Sequence, residues 1–279
     1  MKRLFIYSLL PVWMSLADCS MRSDFINTVK QDFKDNNHMS ADILTEKDIS
    51  HLPEAVRKYL RHTKSVGQPK VRNFRAEFTG GMRGNPGDDY MKLESVQYNF
   101  YENPSRYFYM IAKKMALPAF GLHMYKQGSA TFQVRLLNLF TVVDAKGEKM
   151  NQAETVTLFN DMCFIAPPTL IDRRIKWEKI NDRSVKGIYT NGKISISAVL
   201  HFNEKGELVN FLSNDRFHTD GVKYESYPWE TPVETYKEFN GYLLPSRAKL
   251  VYKRSDGDFT YGELEYKSVK YNLNQIEDE

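Results

Sequence analysis

From Val71 onward the sequence repeats one local pattern: short runs of alternating apolar and polar residues, separated by tight-turn dipeptides. Few folds are open to such a chain. Phe74, Ala76 and Phe78 alternate with Arg75, Glu77 and Thr79, and Val96, Tyr98 and Phe100 alternate again. Phe132, Val134 and Leu136 face opposite to Gln133 and Arg135, and the cleanest run is Ile194, Ile196, Ala198, Leu200, Phe202. A period of two marks strands with two distinct faces. Asn191-Gly192, Asn240-Gly241 and Asp256-Gly257 fall between runs and read as hairpin turns, because their left-handed conformations match the twist of paired strands. Successive hairpins imply antiparallel pairing in a meander. The alternation rule gives about ten or eleven strands, and a sheet that wide curls. The absence of a repeat at fixed period argues against a propeller or solenoid.

One stretch interrupts the strands: Asn151 to Ile171, NQAETVTLFNDMCFIAPPTLI. Val156, Phe159 and Cys163 share one helical face, and Glu154, Thr157 and Asp161 the other. Asn151 is placed to cap the first turn with Glu154 completing a capping box, and Pro167 and Pro168 end the helix. A single apolar helix among strands must bury its face against the sheet. The expected fold is therefore mainly β with α (α+β): a large curved antiparallel sheet or unclosed β-barrel, with the helix at 151–165 over its concave face. A second helix is expected over 51–66, where Pro53 suits a first turn and Leu52, Val56, Tyr59 and Leu60 share a face. The antiparallel β domain then occupies 67–279.

The N-terminus reads as an export signal. Lys2 and Arg3 precede a mostly apolar run, Leu4 to Leu16, that is short for a membrane-spanning helix. Ser15-Leu16-Ala17 suits a signal peptidase; Leu16-Ala17-Asp18-Cys19 suits a lipobox, with Cys19 as the lipidated first residue, although Asp18 is unusual there. The lipoprotein reading gives a signal peptide over 1–18 and a tether over 19–50; ordinary cleavage and an uncleaved anchor are the alternatives. Within the polar stretch Phe25, Val29 and Phe33 recur at helical spacing. The expected location is the cell envelope, membrane-anchored or periplasmic.

Most familiar chemistries are excluded. Lys plus Arg number 39 and Asp plus Glu 35, a surplus too small and too dispersed to point to nucleic acid. The two cysteines, Cys19 and Cys163, form no CxxC; no HxH, HExxH, GxSxG, Walker loop or GxGxxG occurs. No metal or cofactor is expected. Cys163, on the apolar helix face, reads as a free buried thiol. The densest polar cluster is Asn214-Asp215-Arg216 with His218 and Asp220. Arg216 suits an anionic head group or carboxylate and Asp215 a base; a strand-end ion pair explains the same residues. Apolar residues are more suggestive. Met115, Phe120 and Met124 crowd a region of weak alternation, and the helix adds Phe159, Met162 and Phe164. Met-rich irregular surfaces suit flexible apolar ligands, and an ordinary core uses the same residues.

Four segments resemble an uncharacterised bacterial family known as a domain of unknown function: LPEAVRKYLRH at 52–62, ETVTLFNDMCFIAPPTLI at 154–171, WEKINDRSVKGIYTNG at 177–192 and PWETPVETYKEFNGYLLPSRAKLVYK at 228–253. The resemblance carries no activity. It implies an architecture similar to the periplasmic lipoprotein carriers, an unclosed β-barrel with helices on the concave side. The expected function is binding of a lipid or other apolar ligand without catalysis. The alternatives are an enzyme using the Asp215–Arg216 region and a structural scaffold of the envelope.

Overall fold

A computed structural model describes residues 9–36, 42–114, 117–219 and 221–277, with side chains from Met21 onward. Met1 to Ser8, the Cys19 side chain, Met115 and Asp220 lie outside the described part, so the structure does not bear on the lipidation site or on Met115.

Three helices come first. α1 runs Leu9–Asp35, α2 Glu46–Ile49 and α3 Glu54–His62. α1 occupies much of the stretch whose composition suggests a tether. Met21, Phe25, Val29 and Phe33 are buried along it, one or two helical turns apart, and so form a single stripe. In α3, Ala55, Val56, Tyr59 and Leu60 are buried; the last three belong to the expected face, and Leu52, expected with them, is buried just before the helix begins. Six strands follow: β1 Asn73–Met82, β2 Met91–Phe100, β3 Ser105–Lys114, β4 Leu117–Lys126, β5 Ser129–Leu136 and β6 Phe140–Lys146. Then come α4 Glu148–Phe164 and a 3-10 turn over Pro167–Ile171. The second series is β7 Ile175–Asn181, β8 Ser184–Asn191, β9 Ile194–Phe202 and β10 Leu208–Ser213. The last strands are β11 Phe217–Thr219, β12 Tyr224–Ser226, β13 Trp229–Glu230, β14 Val233–Phe239, β15 Tyr242–Arg254 and β16 Gly257–Tyr271.

All pairings are antiparallel, and one sheet runs β6-β5-β4-β3-β2-β1-β16-β15-β13-β10-β9-β8-β7, with β14 beside β15 and a separate β11–β12 hairpin. The sixteen described strands exceed the expected ten or eleven in part because β11, β12 and β13 have only three, three and two residues, too few to show alternation. At β14–β15, Asn240 and Gly241 take φ 47° and 85°, the left-handed pair of a tight hairpin. Pro245 lies inside β15; it pairs with Tyr236 of β14, while the β16 pairing begins only at Arg247. The missing N–H of Pro245 therefore falls where β15 is locally an edge.

The order explains the shape. β6 and β7 are opposite ends of a thirteen-strand path, yet only α4 and the 3-10 turn separate them in sequence. Laid flat, that path would be about 58 Å wide at the usual strand spacing, whereas a helix the length of α4 spans about 25 Å. The sheet must curl until its arms come within reach of the helix, and it forms a half-barrel. α4 touches β5 and β6 on one arm and β9 on the other.

Two cores result. The larger packs α3, α4 and the 3-10 turn against the sheet. The smaller packs α1 against Tyr98, Phe100, Tyr107, Tyr109, Phe120 and Leu122 on the other face of β2–β4. Asp32 of α1 is buried there and accepts from the Tyr107 hydroxyl at 2.7 Å, from Ser105 and from Lys126. In the larger core Phe159 of α4 is fully buried. It stacks on Tyr189 at 5.7 Å and 13°, and meets Phe211 and Trp177 at 5.7 and 6.2 Å. Gly187 keeps its place beside that ring because a Cβ there would sit 2.6 Å from Phe159 Cζ. Phe159→Ala should cost about 3–5 kcal/mol, the range for emptying a packed aromatic site. Urea unfolding of the purified variant measures it; a loss under about 1 kcal/mol would contradict this packing.

Candidate functional site

α4 is buried on nearly every side, including its polar residues Glu154, Thr155, Thr157, Asn160 and Asp161. Buried polar groups need partners, and these find them on both arms of the sheet. On β2 and β3, Asp161 Oδ2 accepts from Gln97 Nε2 at 2.7 Å, Asn99 Nδ2 at 2.9 Å and Arg106 Nε at 2.8 Å. Arg106 Nη1 reaches Glu154 Oε2 at 3.1 Å. On the opposite arm Asn160 donates to Thr231 Oγ1 at 2.8 Å, and Arg216 Nε donates to Thr157 Oγ1 at 3.2 Å. The helix ends on tyrosines: Tyr59 and Tyr271 hydroxyls donate to the carbonyls of Cys163 and Ile165 at 2.6 and 2.5 Å, satisfying acceptors that a helix leaves open.

The capping box expected of Asn151 and Glu154 does not form. The helix begins three residues earlier, at Glu148, with Gly147 as its cap. Asn151 Oδ1 instead accepts from the Ala130 amide at 2.7 Å, and Glu154 is a buried acid in a charge network. Cys163 is free and buried, and burial pushes its thiol up, which leaves it unreactive.

Between α4, β1–β6, β15, β16 and the β11–β12 hairpin lies a cavity of about 920 Å³. Close-packed interiors leave few voids larger than a water molecule, so this volume is a formed feature; it falls in the range of small-molecule sites. Phe78, Phe108, Met110, Phe132, Leu264 and Tyr266 are among its apolar walls. Its charged lining includes Arg106, Glu154, Asp161 and Arg216, with His123 beside them, and also Arg83, Glu225 and Arg254. Strand parity decides what faces it: on β4, Ala119, Gly121 and His123 line the cavity, while Phe120, Leu122 and Met124 pack toward α1.

The candidate residues therefore separate. Phe164 and Arg216 line the cavity. Phe159 and Met162 are fully buried in the larger core and are not among the lining residues. Phe120 and Met124 sit on the opposite face of β4. Asp215 is turned away: its Oδ2 accepts from the Ser197 amide at 2.7 Å and the Ser197 hydroxyl at 3.2 Å. Arg216 is enclosed by protein, yet keeps accessible surface because that surface faces the cavity. Its guanidinium lies 4.5 Å from the Trp229 ring and 5.7 Å from that of Tyr252, whose hydroxyl accepts from Nη1. Sequence reading missed Arg106, Gln97, Asn99 and His123. They sit in strands at positions that ordinary alternation assigns to one face, and only their convergence in space marks them.

Burial sets the charge states. It pushes the Asp161 carboxyl up, against Arg106 and the amides of Asn99 and Gln97. It acts the same way on Glu154, but His123, Arg106 and Arg216 outweigh it and hold that carboxyl down at about 2. Burial also pushes His123 down, against the pull of Glu154. His123 Nδ1 lies 3.3 Å from Glu154 Oε1 but out of line for a hydrogen bond; the ring is instead held flat on Phe132, 3.7 Å away. Among the described residues no cluster of three His, Cys, Asp or Glu side chains is arranged to hold a metal, and no helix is long and apolar enough to cross a membrane.

The sequence profile of DUF6544, a family of unknown function, matches residues 42–264. No curated protein matches the chain. Two solved structures share part of its shape. A DUF1329 family protein from Desulfovibrio piger is 10% identical, with 78% of this chain and 92% of that one covered and a TM-score of 0.44. A "putative outer membrane lipoprotein-sorting protein domain" from Vibrio parahaemolyticus is 11% identical, with 80% and 93% covered and the same TM-score of 0.44.

The charge network makes stability depend on pH with a definite sign. His123 and Glu154 have depressed values in the folded chain, so each stabilises above its ordinary value and loses that contribution on acidification: His123 below about 6.5, Glu154 from about 4.5 towards 2. Asp161, raised, acts oppositely and stabilises most below its ordinary 3.8. Stability should fall as pH drops from 6.5, and Glu154→Gln should flatten the stretch below 4.5. Urea midpoints measured across pH 3 to 7 check this; an unchanged acid slope in Glu154→Gln would contradict the assignment.

Proposed function

We propose that this chain, which belongs to the DUF6544 family of unknown function, uses the cavity beside α4 to hold a lipid or other apolar ligand, without catalysis. The observation that carries this reading is the cavity itself: about 920 Å³ bordered mainly by aromatic and aliphatic side chains, with its charged groups gathered round Arg106 and Glu154 on one side and round Arg216, Arg83 and Arg254 on another. Water is poorly held where polar partners are few, whereas an apolar ligand buries surface worth about 25 cal/mol per Å². In this reading α4 spans the concave side of the half-barrel and closes it over the ligand. An enzyme built on Asp215 and Arg216 has less support, because Ser197 occupies the Asp215 carboxylate while Arg216 faces the cavity.

Export and anchoring belong to the same proposal. Every buried α1 side chain that is described, from Met21 to Phe33, follows Cys19, so cleavage before Cys19 would leave the packed stripe intact. Intact mass of membrane-fraction protein should show a diacylglyceryl adduct that Cys19→Ser abolishes; an unprocessed Met1 would contradict export.

For the cavity, the uncharged probe N-phenyl-1-naphthylamine should bind saturably, and Ala248→Phe should weaken it at least tenfold. Ala248 lines the cavity and is only half-buried, so a larger side chain there fills open space and should leave melting nearly unchanged. A folded wild-type protein that takes up no probe contradicts the reading.

A further inference from the structure

The cavity has an excess of guanidinium groups, and they are not spread evenly. Four arginines line it, Arg83, Arg106, Arg216 and Arg254, against three carboxylates, Glu154, Asp161 and Glu225. Two of those carboxylates are taken by Arg106, and Glu225 lies 3.9 Å from His218 Nδ1. Among the described residues, neither Arg83, Arg216 nor Arg254 has a carboxylate within ion-pair distance. Arg83 donates only to main-chain carbonyls, those of Thr260 and Pro86, both at 2.9 Å. Arg254 Nε is buried with no hydrogen-bond partner. Arg216 bonds only to two hydroxyls, of Thr157 and Tyr252.

Aromatic rings hold all three in place. Arg254 and Arg83 flank the Phe259 ring at 4.3 and 5.7 Å. Arg216 rests on Trp229 and Tyr252. His218 joins the two groups by packing edge-on against Tyr252 at 5.0 Å and Phe259 at 6.5 Å. Arg216 is enclosed by protein and interacts with Glu154 only from beyond ion-pair distance, whereas Arg83 and Arg254 are half-exposed; taking a cation from water is costly, and ring faces offset only part of that cost. Guanidiniums fixed in this way and facing open volume are pre-arranged for an oxyanion, which they bind through paired N–H donors.

We propose that the ligand is an amphiphile with an anionic oxyacid head, a carboxylate or phosphate, bound by Arg216 with Arg83 and Arg254 while its chain occupies the apolar walls. This rests on the apolar-ligand reading and adds the head group to it. Glu154 also faces the cavity, but Arg106 engages it, so the positive surplus remains on the side formed by β11, β15 and β16.

Displacement of N-phenyl-1-naphthylamine by decanoate, decyl phosphate and decanol, each below its micelle concentration, tests the proposal. The two anions should displace the probe at least tenfold more effectively than decanol. Arg216→Met should bring them down to the level of decanol, and Arg216→Lys should retain part of the preference. Arg254→Met should reduce the preference too, which covers the case in which Arg216→Met does not fold. Inorganic phosphate at the same concentrations should displace nothing. Equal displacement by decanol and decanoate would overturn the head-group proposal and leave the cavity reading standing. Failure of the probe to bind folded protein would remove both. Displacement by inorganic phosphate as strong as by decyl phosphate would make this a site for free anions and overturn the amphiphile.

Discussion

Arg106 clamped between Glu154 and Asp161 is the interaction on which the arrangement depends. It joins β3 to α4 through two charge-assisted hydrogen bonds, at 2.8 and 3.1 Å, and Gln97 and Asn99 complete the coordination of Asp161. Removing one partner from a buried ion pair typically costs 3–5 kcal/mol, because the other charge is stranded. Apolar side chains of similar volume often stabilise more than such a pair, so the network is a poor choice for stability alone. Its consequence here is geometric. Arg106, Glu154 and Asp161 all line the cavity, so the clamp borders open volume on that side of α4, whereas apolar packing fills the other.

The segment carrying α4 leaves one edge strand, β6, and delivers the chain to the opposite edge strand, β7. It is in contact with both arms of the curled sheet. Its partners divide accordingly: Gln97, Asn99, Arg106 and Ala130 on one arm, Thr231 and Arg216 on the other. Phe159, gripped by Tyr189, Phe211 and Trp177, anchors the helix on the β7–β10 side by packing, where the β2–β5 side uses charge.

Much of this was legible in residues. The hairpins at Asn191-Gly192 and Asn240-Gly241, the helix ending before Pro167, and the buried face of α3 all follow from local chemistry that tertiary structure did not override. The family resemblance, carried by four quoted segments, agrees with the DUF6544 match over 42–264. The cavity was less legible, for a physical reason. β3 and β4 are covered on both faces, by α1 on one side and the cavity on the other, so both parities carry apolar residues and alternation cannot say which faces which. Phe120 and Met124 fell on the α1 side by one residue of register, and Gly121 and His123 on the cavity side. Glu154 satisfied a capping-box spacing by coincidence, since the helix starts at Glu148. Arg106 gave no local signal, because its meaning lies in carboxylates 48 and 55 residues away.

If the cavity beside α4 holds an anionic amphiphile in the protein's own host, native mass spectrometry of detergent-free protein, purified from that host without delipidation, should show a non-covalent adduct. Organic solvent should release it as an apolar molecule with a carboxylate or phosphate head, and Ala248→Phe should reduce it. A folded wild-type chain that shows only the mass of its polypeptide and covalent modifications would rule such occupancy out.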